Sequence, residues 1–172
     1  MCGIIGVAGE SEIRNFKKAV SNIAHRGPDD TGIYNTHNLF LGHQRLSIQD
    51  LSDSGHQPMH SADGEWTIIF NGEIYNHLDI RKEIESKYAF RSSGDTETLL
   101  YAFIEYGIDV LKKLNGIFSF AIFHHKSQDL YIVRDQLGVK PLYYYLKDNK
   151  LIFGSEIKSF IEIEGFNPAV DI

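Results

Sequence analysis

The chain has 172 residues, 42% of them hydrophobic and 23% charged, and a net charge of −6 at pH 7. That is the length of one well-buried domain with an ordinary globular composition, and the acidic balance excludes nucleic acid and anionic membrane as main partners. One cysteine excludes an internal disulfide framework and suits a reducing compartment. With no apolar run near the ~18 residues of a membrane span and no basic-then-apolar leader, a cytoplasmic single-domain protein is expected.

In chain order, the lone cysteine comes first, as Cys2 in Met1-Cys2-Gly3-Ile4-Ile5-Gly6. Gly3 to Ala8 predicts a first strand apolar on both faces. Ile13, Phe16, Val20 and Ile23 recur at helical spacing, and His25-Arg26-Gly27-Pro28-Asp29-Asp30 stops that helix. Strands are predicted over Asn38–Ile48 and Glu65–Phe70, separated by a polar loop bearing Gly and Pro. One helix starts near Asn76. Another runs from Thr96 with Leu99, Leu100, Phe103 and Ile104 on one face. Strands follow at Ile117–Phe123, Leu130–Arg134, Leu142–Leu146 and Leu151–Phe153, then a short helix from Ser155. Strands at both ends, helices mostly between and short connections point to an α+β fold with largely antiparallel sheet.

The placement of Cys2 suggests its chemistry. Removal of Met1 would put a thiol and a free α-amine on one residue. A thiol needs a base to become a strong nucleophile, and an α-amine of ordinary pKa, about 7.7–8, can act as one near neutrality. The competing reading is a small buried residue opening a strand. Acyl transfer from an amide also needs donors for the developing oxyanion. Asn71-Gly72-Glu73, after a hydrophobic strand, offers an amide side chain and a backbone N–H. Asn-Gly is equally a leading hairpin-turn signal, but Glu73-Ile74-Tyr75-Asn76 leads into a helix-like segment instead of a return strand.

A free amino acid carries both charges, so its site needs a cation and anions. Arg45, ending an apolar strand, can take a carboxylate with its planar fork. Glu73 and Asp95 can accept from an ammonium. Asp95 also suits the N-cap of the Thr96 helix, and the two roles are compatible. Metal chemistry finds little support. His124 and His125 are adjacent in a predicted strand and point to opposite faces, and Pro58 breaks the helical spacing of His56 and His60.

At this point the sequence resembles the glutamine amidotransferase domain of the N-terminal-nucleophile type (class II), in its asparagine synthetase branch. The resemblance is carried by MCGIIGV at Met1–Val7, HRGPDD at His25–Asp30, GHQRLSIQDLSDSGHQPM at Gly42–Met59 and FNGEIYN at Phe70–Asn76. It continues through SGDTETLLYAF at Ser93–Phe103, LNGIFSFAIF at Leu114–Phe123, RDQLGVKPLYY at Arg134–Tyr144 and FGSEIKS at Phe153–Ser159. These blocks run in order over almost the whole chain.

The resemblance implies an αββα sandwich, two antiparallel sheets between helical layers. It implies that Cys2 attacks the side-chain amide of glutamine and releases ammonia, leaving a glutamyl thioester that water hydrolyses. Asn71 and Gly72 would form the oxyanion hole, Arg45 would bind the α-carboxylate, and Glu73 and Asp95 the α-ammonium. Backbone groups of Leu46, Ser47, Ile48 and Gln49 would line the same pocket; Gln49 departs from the small aliphatic residue common there. The expected domain is 2–160, with 161–172 opening a linker to a C-terminal synthetase domain whose Ser-Gly-Gly-x-Asp-Ser loop this sequence lacks. The expected partners are glutamine and that synthetase domain, and a homodimer is compatible. This domain would need no cofactor; ATP and Mg would belong to the synthetase half. The ammonia acceptor, aspartate or another carboxylate such as one on a sugar, would lie there too. The rival reading is a catalytically silent module of the same fold that senses glutamine or docks a synthetase.

Overall fold

The computed structural model describes residues 1–168. The strands are β1 (Gly3–Ala8), β2 (Asp30–Asn35), β3 (Leu39–Arg45), β4 (Met59–His60), β5 (Trp66–Ile74), β6 (Gly116–His124), β7 (Asp129–Arg134), β8 (Tyr143–Lys147) and β9 (Lys150–Gly154). The helices are α1 (Phe16–Ser21), α2 (His77–Ile84) and α3 (Asp95–Tyr106), and a 3-10 segment spans Ile157–Glu162. One sheet has five strands in the order β2-β3-β1-β9-β8; the other has four, β4-β5-β6-β7. Every pairing is antiparallel.

Strand alternation divides the core into three apolar layers. Ile4, Leu41, Ile69, Ala121 and Phe153 pack together between the sheets. Ile5, Val7 and Ile152 face outward and pack on Phe16, Ala19 and Val20 of α1 and on Phe160. Ile68, Phe70, Phe118, Phe120 and Ile122 face the other way, against Ile80 and Ile84 of α2 and Leu99, Leu100 and Phe103 of α3. The result is the expected αββα sandwich. Burial of each large side chain contributes about 1.5–3 kcal/mol. Within the five-stranded sheet, Gly6 of β1 is required because the ring of its cross-strand partner Phe153 lies over it, and a Cβ would fall inside that ring.

Several elements differ from expectation. β2 and the two-residue β4 were not predicted; β2 alternates weakly because it is an edge strand with mostly exposed side chains. α1 begins at Phe16 and covers one and a half turns, Ile13 packing from the loop before it. β3 ends at Arg45, and residues 46–52 form a loop that leads into a 3-10 turn at Asp53–Gly55. β5 runs four residues past Phe70 to Ile74, so Asn71-Gly72 lies inside a strand and is no turn. The packed body also continues past residue 160. Ile163 is buried, and Phe166 sits edge-on to Tyr145 and Phe160 at ring distances of 5.0 and 5.6 Å. Residues 169–172 of the expected linker lie outside the described residues. Among the described residues no helix is long and apolar enough to cross a membrane.

Candidate active site

The site is where the inter-sheet layer runs out. Side chains at i and i+2 share a face in a strand, so each apolar row between the sheets is continued by a polar residue at its end. Ile4 is preceded by Cys2, Leu41 is followed by His43 and Arg45, Ile69 by Asn71, and Ala121 is preceded by Ser119. A cavity opens there, and its wall includes Cys2, Arg45, Leu46, Ile48, Gln49, Asn71, Gly72, Glu73 and Asp95. Nine of the ten residues expected from the sequence are therefore brought together, although they come from four separate stretches of chain. Ser47 is the exception: its backbone N–H donates to the Asp29 carboxylate at 2.7 Å, which anchors the loop without lining the cavity.

Cys2 is partly buried at the head of β1. Its carbonyl accepts the Nε–H of Arg26 at 2.9 Å, and its Sγ lies 3.4 Å from the Leu46 N and 3.7 Å from the Leu46 O. Burial pushes the thiol pKa up, against the pull of the Leu46 contact. The Cys2 thiol is thus held in place but needs a base to become a strong nucleophile. Met1 also lies on the cavity wall, with its sulfur 3.0 Å from the buried Lys140 ammonium.

The candidate oxyanion donors arise from a short neighbour strand. β4 covers β5 only at Thr67 and Ile68, so beyond that point the outer edge of β5 has no strand partner. Alternate residues present their N–H groups to that edge. The Phe70 N–H takes the Oε1 of Gln57 at 2.6 Å, and the Ile74 N–H takes the Asp95 carboxylate at 2.9 Å. The Gly72 N–H falls between them on the same edge, beside the cavity. Gly72 itself is required because β6 passes so close that a Cβ would meet the Ile117 carbonyl. Asn71, 1% exposed, sits directly across from Ser119. Its Nδ2 is 3.5 Å from the Ser119 hydroxyl, and its Oδ1 is buried with no partner.

His43 fixes the same strand from the facing sheet. It is fully buried, its Nε2 lies 3.1 Å from the Phe70 carbonyl, and burial lowers its pKa to about 4. The ring is therefore neutral at pH 7. Because a carbonyl only accepts, Nε2 carries the proton.

Arg45 is 6% exposed. Its Nη1 donates to the Ser52 carbonyl at 2.9 Å and its Nη2 to the Asp50 carbonyl, so the loop after β3 wraps the guanidinium and aims it. Gly55 touches Nη2 so closely that a Cβ there would overlap it. Asp50, in the left-handed region at φ 51°, ties the loop to the start of α3 by accepting the Ser93 N–H at 2.7 Å; hydrogen bonds from Ser52 hold its carboxyl below the usual range. Gln49 projects its amide to 3.3 Å from the Glu73 carboxylate, which accounts for an amide at a position where a small aliphatic residue was expected.

Asp95 is not the N-cap of α3. Gly94 occupies that position, and Asp95 is the first helical residue. Burial pushes its carboxyl up to about 6, although the Ile74 N–H pulls the other way. Gln57, Gly55, Asp50, His43 and Lys140 were missed as parts of the site. Arg26, Asp29, Asp50 and Gln57 stood inside the motif blocks, but their partners Cys2, Ser47, Ser93 and Phe70 lie 13 to 43 residues away, and no local periodicity marks such contacts.

With this geometry in place, comparisons with known proteins are specific. The family described as the glutamine amidotransferase domain matches residues 1–172. The chain is 38% identical over 180 residues to asparagine synthetase [glutamine-hydrolyzing] 3 of Bacillus subtilis (strain 168), covering 99% of this chain and 29% of that protein. It is 39% identical over 176 residues to the amidase chyE of Penicillium rubens, covering 94% of this chain and 26% of that one. The chain thus spans between a quarter and a third of the length of these curated relatives. Among solved structures, glutamine phosphoribosylpyrophosphate amidotransferase from B. subtilis superposes with a TM-score of 0.78 at 20% identity, over 93% of this chain and 43% of that one. This last likeness concerns the fold alone.

Proposed function

The chain belongs to the glutamine amidotransferase domain family, and from that premise we propose that it hydrolyses glutamine at the cavity between its sheets, with Cys2 as nucleophile. Removal of Met1 frees the Cys2 α-amine, which takes the thiol proton as Sγ adds to the side-chain carbonyl carbon of glutamine. Asn71 Nδ2 and the Gly72 N–H donate to the oxygen that becomes negative. Such donors act in the transition state more than in the ground state. The α-amine returns its proton to the departing nitrogen and the C–N bond breaks, giving ammonia and a glutamyl thioester. Water, deprotonated by the same amine, cleaves the thioester and regenerates the thiol with release of glutamate. Arg45 holds the substrate α-carboxylate, and Glu73 and Asp95 hold its α-ammonium.

The observation that carries this reading is the convergence of Cys2, Asn71, Gly72, Arg45 and Asp95 on one cavity at the end of the inter-sheet layer. A zwitterion grip of this kind is wasted on an acyl group lacking those charges, and each charge-assisted hydrogen bond contributes about 1.5–3 kcal/mol. A silent sensing or docking module would not need the nucleophile and the oxyanion donors on the same wall.

The two longer relatives are an asparagine synthetase and an amidase. For this chain the corresponding proposal is that the ammonia passes to a carboxylate activated with ATP and Mg in a C-terminal synthetase domain, aspartate being the first candidate. The deciding experiment measures glutamate and ammonia release from the methionine-free chain, with and without ATP. Release that does not depend on ATP supports the proposal. No release from a folded sample beginning at Cys2 would overturn it in favour of the silent module.

A further inference from the structure

A backbone N–H is aimed by its strand, but a side-chain amide must be aimed by something else. Asn71 can turn about its last side-chain bond, and the half-turn that exchanges Nδ2 and Oδ1 changes an oxyanion donor into a repelling acceptor. The group within reach of that amide is the Ser119 hydroxyl, 3.5 Å from Nδ2. Ser119 is fully buried, and the β5–β6 register sets it directly opposite Asn71, on the inter-sheet face shared with Ala121. Resting on the catalytic reading above, we propose that Ser119 is the positioning residue of the oxyanion hole: its hydroxyl donates to Asn71 Oδ1 and so keeps Nδ2 turned into the cavity.

Two features of the site support this. Asn71 Oδ1 is buried with no partner when Nδ2 faces Ser119, whereas the exchanged orientation gives that oxygen the Ser119 hydroxyl as donor and releases Nδ2 from it. Ser119 also belongs to a rigid element. β6 is paired along its length with β5 and again with β7, where Ser119 stands opposite Arg134, so its Oγ is carried at a fixed height beside the amide. Nothing in the position calls for a hydroxyl on packing grounds, since the next two residues on the same face of β6, Ala121 and Phe123, belong to an apolar cluster.

The test is a double-mutant cycle on the methionine-free chain, reading kcat and KM for glutamine separately. Asn71→Ala is expected to lower kcat by about 10²–10³. Ser119→Ala should lower kcat about tenfold with KM changed by less than about twofold, and Ser119→Cys, which keeps the shape with a weaker donor, should fall between. The double variant should be no slower than Asn71→Ala alone, because the hydroxyl acts only through the amide. Full kcat in Ser119→Ala, or the same tenfold loss in the Asn71→Ala background, would overturn the proposal. An Asn71→Ala variant of unchanged kcat would instead overturn the oxyanion assignment on which it rests.

Discussion

The Asp95 carboxylate accepts the backbone N–H of Ile74 at 2.9 Å, so the first residue of α3 satisfies the last donor of β5. One carboxylate thereby welds a helix start to a strand end and remains on the cavity wall, where it can also meet a substrate ammonium. The arrangement keeps a 6%-exposed carboxylate in place, and the cost appears in its titration.

Because burial raises the Asp95 carboxyl to about 6, its protonated form is favoured by folding. The stability it contributes is fully present below the unfolded value of about 3.9 and is lost as pH rises through about 6. Asp95→Asn keeps an acceptor for the Ile74 N–H without the buried charge. It should therefore raise the Tm more at pH 8 than at pH 4, while KM for glutamine rises because the ammonium loses its anion. In the unmodified chain KM should climb as pH falls below 6. A pH-independent drop in Tm for Asp95→Asn would show that the charge itself stabilises the fold.

The active form should begin at Cys2. Intact-mass analysis of turnover-competent protein is expected to show loss of Met1, and a one-residue N-terminal extension should abolish turnover without lowering the Tm. Full activity in protein that retains Met1 would remove the α-amine from its role as base.

Asn71→Ala separates catalysis from binding. Since the lost donor matters chiefly in the transition state, kcat should fall by about 10²–10³ with a much smaller change in KM. A raised KM at unchanged kcat would reassign the side chain to substrate holding.

Arg45→Lys keeps the charge and loses the planar fork that here also binds the Ser52 and Asp50 carbonyls. KM for glutamine should rise about 10- to 100-fold, the equivalent of one charge-assisted hydrogen bond. Gly55→Ala should move KM the same way without touching a substrate group, because its Cβ displaces Nη2. Normal KM in both variants would show that the guanidinium serves the loop alone.

The sequence by itself determined the strands that pack on both faces and the residue types proposed to carry the chemistry. β1 was legible residue for residue, since a six-residue apolar run bounded by glycines is too short for a buried helix and reads as a buried strand, and Cys2, Arg45, Asn71, Gly72, Glu73 and Asp95 stood out by residue type within their motif blocks. What it left open or placed less well were positions whose reason lies across the fold. Asn71-Gly72 has the composition of a turn, yet β6 lies against it and holds it in a nine-residue strand. Asp95 has the position of a cap, yet its carboxylate is taken by a strand end 21 residues earlier. Only the tertiary structure decided which donors remain available to a substrate. β4 stops after two residues, and its shortness leaves the edge of β5 open at Gly72. Where β4 would continue, the Gln57 side chain takes the Phe70 N–H instead, a contact across 13 residues that leaves no periodic trace in a local stretch of sequence.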